Sequence, residues 1–154
     1  MNISFLGLGY VGCVGAACCA KLGHHVIGND VSENKVKLIN QGRPTIIEAE
    51  IEELCKEAHD KGLLEATMDC RYAVRNSEIS FIVVGTPSSK EGHLNLKYIY
   101  EVAHQIGEAL RDKEDFHIVA IRSTVLPGTN AKVGEIIAKT SGKKRGEGFT
   151  VVSN

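Results

Sequence analysis

Apolar and polar positions fall into two alternating kinds of block along this chain. Short apolar runs at residues 3–6, 25–30, 64–67, 79–84, 117–121 and 149–152 read as buried strands. The stretches between them carry apolar residues at helical spacing. Val11, Val14, Ala17, Cys18 and Leu22 mark a first helix, stopped by Gly23. Ser32 is placed to cap a helix over 33–40, with Val36 and Ile39 on one side. Residues 49–61 form an amphipathic helix, with Ile51, Leu54, Cys55 and Ala58 inward and a solvated charged face outward. Asp69 caps a short helix around 71–76. Asn95 caps a long one to about Arg111, along which Leu96, Ile99, Val102, Ala103, Ile106 and Leu110 line up. Thr129 or Asn130 caps a last helix through Lys139.

Strands that alternate with helices demand a parallel sheet covered on both faces. The pattern therefore predicts an α/β fold: a Rossmann-type, doubly wound, mostly parallel six-stranded sheet occupying residues 1–154 as one domain. Ligands in such a sheet bind beyond the C-terminal strand ends, where its two halves meet. The loops at those ends are 7–12, 30–35, 85–88 and 123–129, all polar or glycine-rich.

The first of these loops is Gly7-Leu8-Gly9-Tyr10-Val11-Gly12, between the first strand and the first helix. Gly7 permits a sharp turn out of the strand. Gly9 lets a pyrophosphate approach the backbone, and Gly12 lets the helix pack close to the sheet. The helix N-terminus then offers unpaired N–H groups and a positive dipole end to phosphates. Asp30 ends the second strand at the distance, about 20 residues on, at which an acid meets the adenosine ribose. Its charge would repel a 2′-phosphate, so NAD is expected rather than NADP. The glycines could also serve a bare turn with Asp30 as a cap, or a methyltransferase-type nucleotide site. Neither accounts for strand, glycines, helix and acid together.

Composition narrows the picture further. Hydrophobic residues make up 43% and charged residues 24%, ordinary values for a globular domain. A net charge of −1 gives no sign of nucleic acid or an anionic membrane as partner, and no apolar run is long enough to span a bilayer. No signal peptide is evident, so a cytoplasmic setting is expected. The five cysteines include no CxxC and read as small buried thiols. Cys55 and His59 are one helical turn apart but lack a third ligand, so no metal site is expected. The basic residues Lys143, Lys144 and Arg145 read as solvated.

GLGYVG, NDVSENKVKLINQG, FIVVGTPSSKEGHLNL and IRSTVLPGT, in that order, resemble the N-terminal domain of the nucleotide-sugar 6-dehydrogenases over the whole chain. That family includes UDP-glucose and GDP-mannose dehydrogenases; the LPGT form and the SGKK segment resemble GDP-mannose 6-dehydrogenase most. The resemblance implies NAD as cofactor, with Tyr10 and Val11 presenting amides to the pyrophosphate beside Gly7, Gly9 and Gly12. It implies Asp30 on the ribose, Lys35 beside it, Thr86 toward the nicotinamide half and Thr124 near the nicotinamide. It also implies a nucleotide-sugar substrate oxidised at C6 from alcohol to carboxylate with two NAD, and a homodimer in the full-length enzyme. The family's catalytic cysteine, active-site glutamate, central helix and second domain have no counterpart among these residues. No catalytic residue is therefore expected in this chain, which should be inert alone. Two stretches depart from the family: Glu48-Ala49-Glu50 stands where Glu-Pro-Gly is usual, and Asn29 where an apolar residue is usual.

Two other functions compete. One is a free-standing NAD(H)-binding module. The other is a complete small oxidoreductase, which would need a proton acceptor near the nicotinamide; His93 and His104 are its only central candidates.

Overall fold

The computed structural model describes residues 1–154. The strands are β1 (Asn2–Leu6), β2 (His25–Asn29), β3 (Leu64–Thr67), β4 (Ile79–Ile82), β5 (His117–Ile121) and β6 (Phe149–Ser153). The helices are α1 (Tyr10–Lys21), α2 (Glu33–Asn40), α3 (Ala49–Asp60), α4 (Cys70–Arg75), α5 (Lys97–Leu110) and α6 (Thr129–Ser141). All strands pair in parallel, in the order β3-β2-β1-β4-β5-β6. The chain thus winds outward from β1 to one edge, returns to β4 and winds out to the other. The switch point lies between β1 and β4, whose C-terminal ends diverge into different loops. No helix is long and apolar enough to cross a membrane.

Strand periodicity splits the core into two layers. Ile3 and Phe5 of β1 join Cys13, Ala16 and Ala17 of α1 and Cys55 and Ala58 of α3 on one face. Leu6 joins Ile99, Ala103 and Ile106 of α5 and Val133 and Ile137 of α6 on the other.

Helix α1 corrects the sequence reading. Its buried side is Gly12, Cys13, Ala16, Ala17 and Ala20, while Val11 and Leu22 are 46% and 76% exposed and Cys18 is also exposed. The cause is close approach. A Cβ on Gly15 would stand 2.6 Å from the ring of Phe5, which itself stacks on Phe81 at 5.0 Å. Only small residues fit between this helix and the sheet, so size overrides hydrophobicity in choosing its inner face.

Several boundaries also move. β4 ends at Ile82 rather than at Val84; Val83 N–H still donates to Leu6 O, but Val83 and Val84 are only half-buried. Asn95 accepts the Lys97 N–H at 3.0 Å from one residue before the N-cap position, which Leu96 occupies. The N-cap of α6 is Gly128, at φ +89, not Thr129 or Asn130. Thr129 Oγ1 instead donates to Leu126 O, and Asn130 reaches Ser153 and Arg145. Of the three basic residues before β6, Lys144 and Arg145 are exposed as expected and Lys143 is half-buried, but two of them are tied to the fold. Arg145 lies over Gly134 and donates to Asn130 Oδ1 and Val151 O, Lys143 donates to Lys113 O, and Lys144 pairs in solvent with Glu147. Helix α3 starts at Ala49 without the Pro-Gly, with Glu48 as its N-cap residue. Asn29 is buried and donates to Thr67 O at 3.0 Å, a bond no apolar residue could make.

Candidate dinucleotide site

The three glycines of the first loop are required for different reasons. Gly7 has φ +117, and a Cβ there would stand 2.6 Å from Val83 O. A Cβ on Gly12 would stand 1.9 Å from Gly7 O. The fold itself therefore demands both. A Cβ on Gly9 would meet nothing within 4 Å, so no protein atom needs that position empty. Gly9 is the N-cap of α1, and the first amide of the helix to be paired is Cys13 N–H, to Gly9 O at 2.9 Å. That leaves the N–H groups of Tyr10, Val11 and Gly12 as the free donors of the first turn. No acidic residue stands in that turn and no side chain caps it, so its positive end is uncompensated.

Asp30 stands across from these amides, just past β2. Its carboxylate is 11% exposed. Oδ2 accepts the Leu8 N–H at 2.8 Å, and Oδ1 accepts the Ser32 N–H at 2.9 Å. Lys35 Nζ lies 3.8 Å from Oδ2, brought there by α2, whose first turn is capped by Ser32 Oγ accepting the Lys35 N–H. The carboxylate is thus oriented before any ligand arrives, and two bonded N–H groups leave it lone pairs for further donors.

A cleft of about 420 Å³ opens between loop and acid at the switch point. Gly7, Gly9, Asn29, Asp30, Val31 and Lys35 form one side; Val83, Val84 and Gly85 form its floor; Tyr98, Glu101, Val102 and Gln105 of α5 close it. The α5 residues escaped the sequence reading. Their signal was the topology itself, since the helix after β4 must flank the switch point. Thr86 and Thr124 do not line this cleft. They lie on the neighbouring exit loops of β4 and β5, which Ser123 Oγ joins by donating to Val84 O at 2.7 Å. A larger hollow of about 710 Å³ at the opposite end of the sheet, between Met1, Arg75 and Lys113, holds none of these donors.

The sequence model of the UDP-glucose/GDP-mannose dehydrogenase family, NAD binding domain, matches residues 1–154. The chain belongs to this family. It is the family's NAD-binding domain, with NAD as cofactor. It is 50% identical to the GDP-mannose 6-dehydrogenase of Pseudomonas aeruginosa, over 100% of this chain and 36% of that protein. A ternary complex of GDP-mannose dehydrogenase from the same organism superposes with a TM-score of 0.97, covering 100% of this chain and 36% of that one. A UDP-glucose dehydrogenase from the archaeon Pyrobaculum islandicum superposes at 0.92 with 38% identity, covering 99% and 35%. The chain thus spans about a third of the length of the relatives it matches.

The site fits the family's cofactor: three free amides, an uncompensated helix end, open space over Gly9 and an oriented carboxylate suit a diphosphate and a ribose. The competing histidines are elsewhere. His93 is exposed in the 88–94 turn, and His104 faces Thr140 Oγ1 on the outer side of α5; neither lines the cleft. Cys55 is buried against Cys13, while His59 lies beside Gly42 and Asp60, so the pair does not converge. Of the five free cysteines, Cys13, Cys55 and Cys70 are buried as expected, Cys19 is intermediate and Cys18 is exposed.

Proposed function

We propose that this chain is the NAD-binding part of a GDP-mannose 6-dehydrogenase, an enzyme that oxidises the sugar's C6 alcohol to the carboxylate of GDP-mannuronate with two NAD. Identity over the whole chain supports the substrate: 50% to a GDP-mannose 6-dehydrogenase against 38% to a UDP-glucose dehydrogenase. The single observation that carries the cofactor geometry is the uncapped start of α1 at Gly9 and the Asp30 carboxylate lining one cleft. In this reading the diphosphate lies over Gly9 and accepts hydrogen bonds from Tyr10, Val11 and Gly12. Asp30 accepts from the adenosine ribose hydroxyls and repels a 2′-phosphate, while Lys35 stands beside the carboxylate at 3.8 Å. Thr86 and Thr124 meet the nicotinamide half from the exit loops of β4 and β5. NAD supplies the hydride acceptor. The thiol nucleophile belongs to the remainder of a full-length, homodimeric and cytoplasmic enzyme, because none of the five cysteines here lines the cleft.

The test has two arms. Calorimetry on the chain should show NAD binding more tightly than NADP; equal affinities would remove the role given to Asp30. The reading frame continued past Asn154 should give an enzyme that forms two NADH per GDP-mannose and turns over UDP-glucose poorly. The reverse preference would reassign the substrate.

A further inference from the structure

The connection between α2 and α3 crosses the glycine loop and is tied to it three times. Thr45 Oγ1 donates to Leu8 O at 2.7 Å, Thr45 N–H points at Cys13 Sγ at 3.5 Å, and Tyr10 Oη donates to Glu48 Oε1 at 3.5 Å. Leu8 is therefore held on both sides of its backbone, since its own N–H is bound by Asp30 at 2.8 Å. Its side chain is fully buried and fills the space over Gly28, where a Cβ would stand 2.7 Å from Leu8 Cδ2.

We propose that Thr45 is a positioning residue for the diphosphate site, acting through the Leu8–Gly9 peptide. A trans peptide is planar, so its C=O and N–H point in opposite directions. Holding Leu8 O toward Thr45 turns the Gly9 N–H away from the 41–48 connection. The same bond keeps the partial negative charge of the Leu8 carbonyl off the side where the α1 amides open. A donor engaged at the carbonyl also polarises the N–H of the same peptide, which strengthens it as a donor to an anion. The Thr45 hydroxyl therefore contributes to diphosphate binding without touching the ligand. Asp30 makes the complementary contact, holding the preceding amide of the same residue. Thr45 was silent in the sequence because Leu8 lies 37 positions away.

This inference rests on the NAD reading above, and the experiment separates the two. Thr45→Val, Thr45→Ala and Thr45→Ser are compared with the unaltered chain for binding of NAD, ADP and adenosine, for thermal unfolding and for the Gly9 amide resonance. Thr45→Val and Thr45→Ala should weaken NAD and ADP about 5- to 10-fold, the scale of one hydrogen bond, leave adenosine unchanged and shift the Gly9 resonance. Thr45→Ser should restore both affinities to within about 2-fold. The proposal is overturned if Thr45→Val binds NAD like the unaltered chain, if adenosine is lost in proportion, or if serine does not restore binding. Failure of both Thr45→Val and Thr45→Ala to fold would also overturn it, since the hydroxyl would then serve the whole domain. An unaltered chain that binds no NAD overturns the NAD reading itself and this inference with it.

Discussion

The Leu8 N–H donates to Asp30 Oδ2 across 2.8 Å, so the acid at the tip of β2 is also an anchor of the glycine loop. Removing it should act on two properties at once. Asp30→Ala should weaken NAD by about 1–3 kcal/mol, the scale of charge-assisted hydrogen bonds, and narrow the preference over NADP. It should also lower stability, because the Leu8 and Ser32 amides lose their acceptor. Calorimetry and thermal unfolding on the same samples resolve the two effects; Asp30→Asn, which keeps an acceptor, should retain more stability than affinity.

The glycines should separate folding from binding. Gly12→Ala forces a Cβ to 1.9 Å from Gly7 O, a backbone atom that cannot move aside. It should cost about 3 kcal/mol or more in unfolding free energy. Gly9→Ala meets no protein atom and has φ −74, which alanine adopts freely. Its unfolding curve should stay close to that of the unaltered chain, while NAD affinity falls at least about 10-fold because the methyl stands where the diphosphate approaches. Equal loss of stability in the two variants would contradict this division.

At the other end of the sheet, His117 sets a pH dependence. Lys113 Nζ, which can only donate, faces Nδ1 at 3.0 Å, so the ring proton sits on Nε2, 2.8 Å from Ser80 Oγ. Ser80 Oγ meets Ser4 Oγ at 2.6 Å, and Ser77 Oγ lies 2.9 Å beyond. Burial, and then the Lys113 charge, push His117 down to about 3 from an ordinary 6.5. Below pH 6.5 the unfolded chain takes up a proton that the native chain refuses. Stability should therefore fall with pH through the window from 6.5 toward 3, by up to about 1.4 kcal/mol per unit. Urea unfolding at pH 7, 6 and 5 measures the slope, and His117→Gln should flatten it while lowering stability at pH 7.

Thiol reactivity should follow access rather than acidity. Hydrogen bonding from Cys55, against the effect of burial, pulls Cys13 below the usual thiol range, with Thr45 adding to it. Burial raises Cys70 to about 12 and also raises Cys19. Yet Cys13 is fully buried, and Cys18 is the exposed one. Alkylation of the native chain followed by mass mapping should label Cys18 first and Cys19 slowly. Cys13, Cys55 and Cys70 should react only in denaturant; early labelling of Cys13 would show that α1 and α3 open readily.

Features that depend on near neighbours in the chain are legible from the residues alone. Six apolar runs separated by helical periods dictated an alternating α/β order, and that order admits only a parallel sheet with a switch point. The glycine spacing and the acid closing the second strand pointed to the end of the sheet where Gly7, Gly9 and Asp30 line one cleft, because strand, turn and helix follow one another without interruption. Caps such as Ser32 and Asp69 were legible for the same reason: each acts within three residues. Contacts between distant segments emerge only once the elements have packed. The inner face of α1 went to glycine and alanine because the helix lies close against Phe5, a distance no periodicity encodes. Arg145, though exposed, is pinned to Asn130 and Val151 because Gly134 leaves room for it and those two residues supply acceptors. The α5 wall of the cleft and the Thr45–Leu8 bond likewise join residues brought together by sheet order. Local patterns specify which elements form; which side chains meet depends on how closely those elements pack, and packing distance is a property of the assembled core.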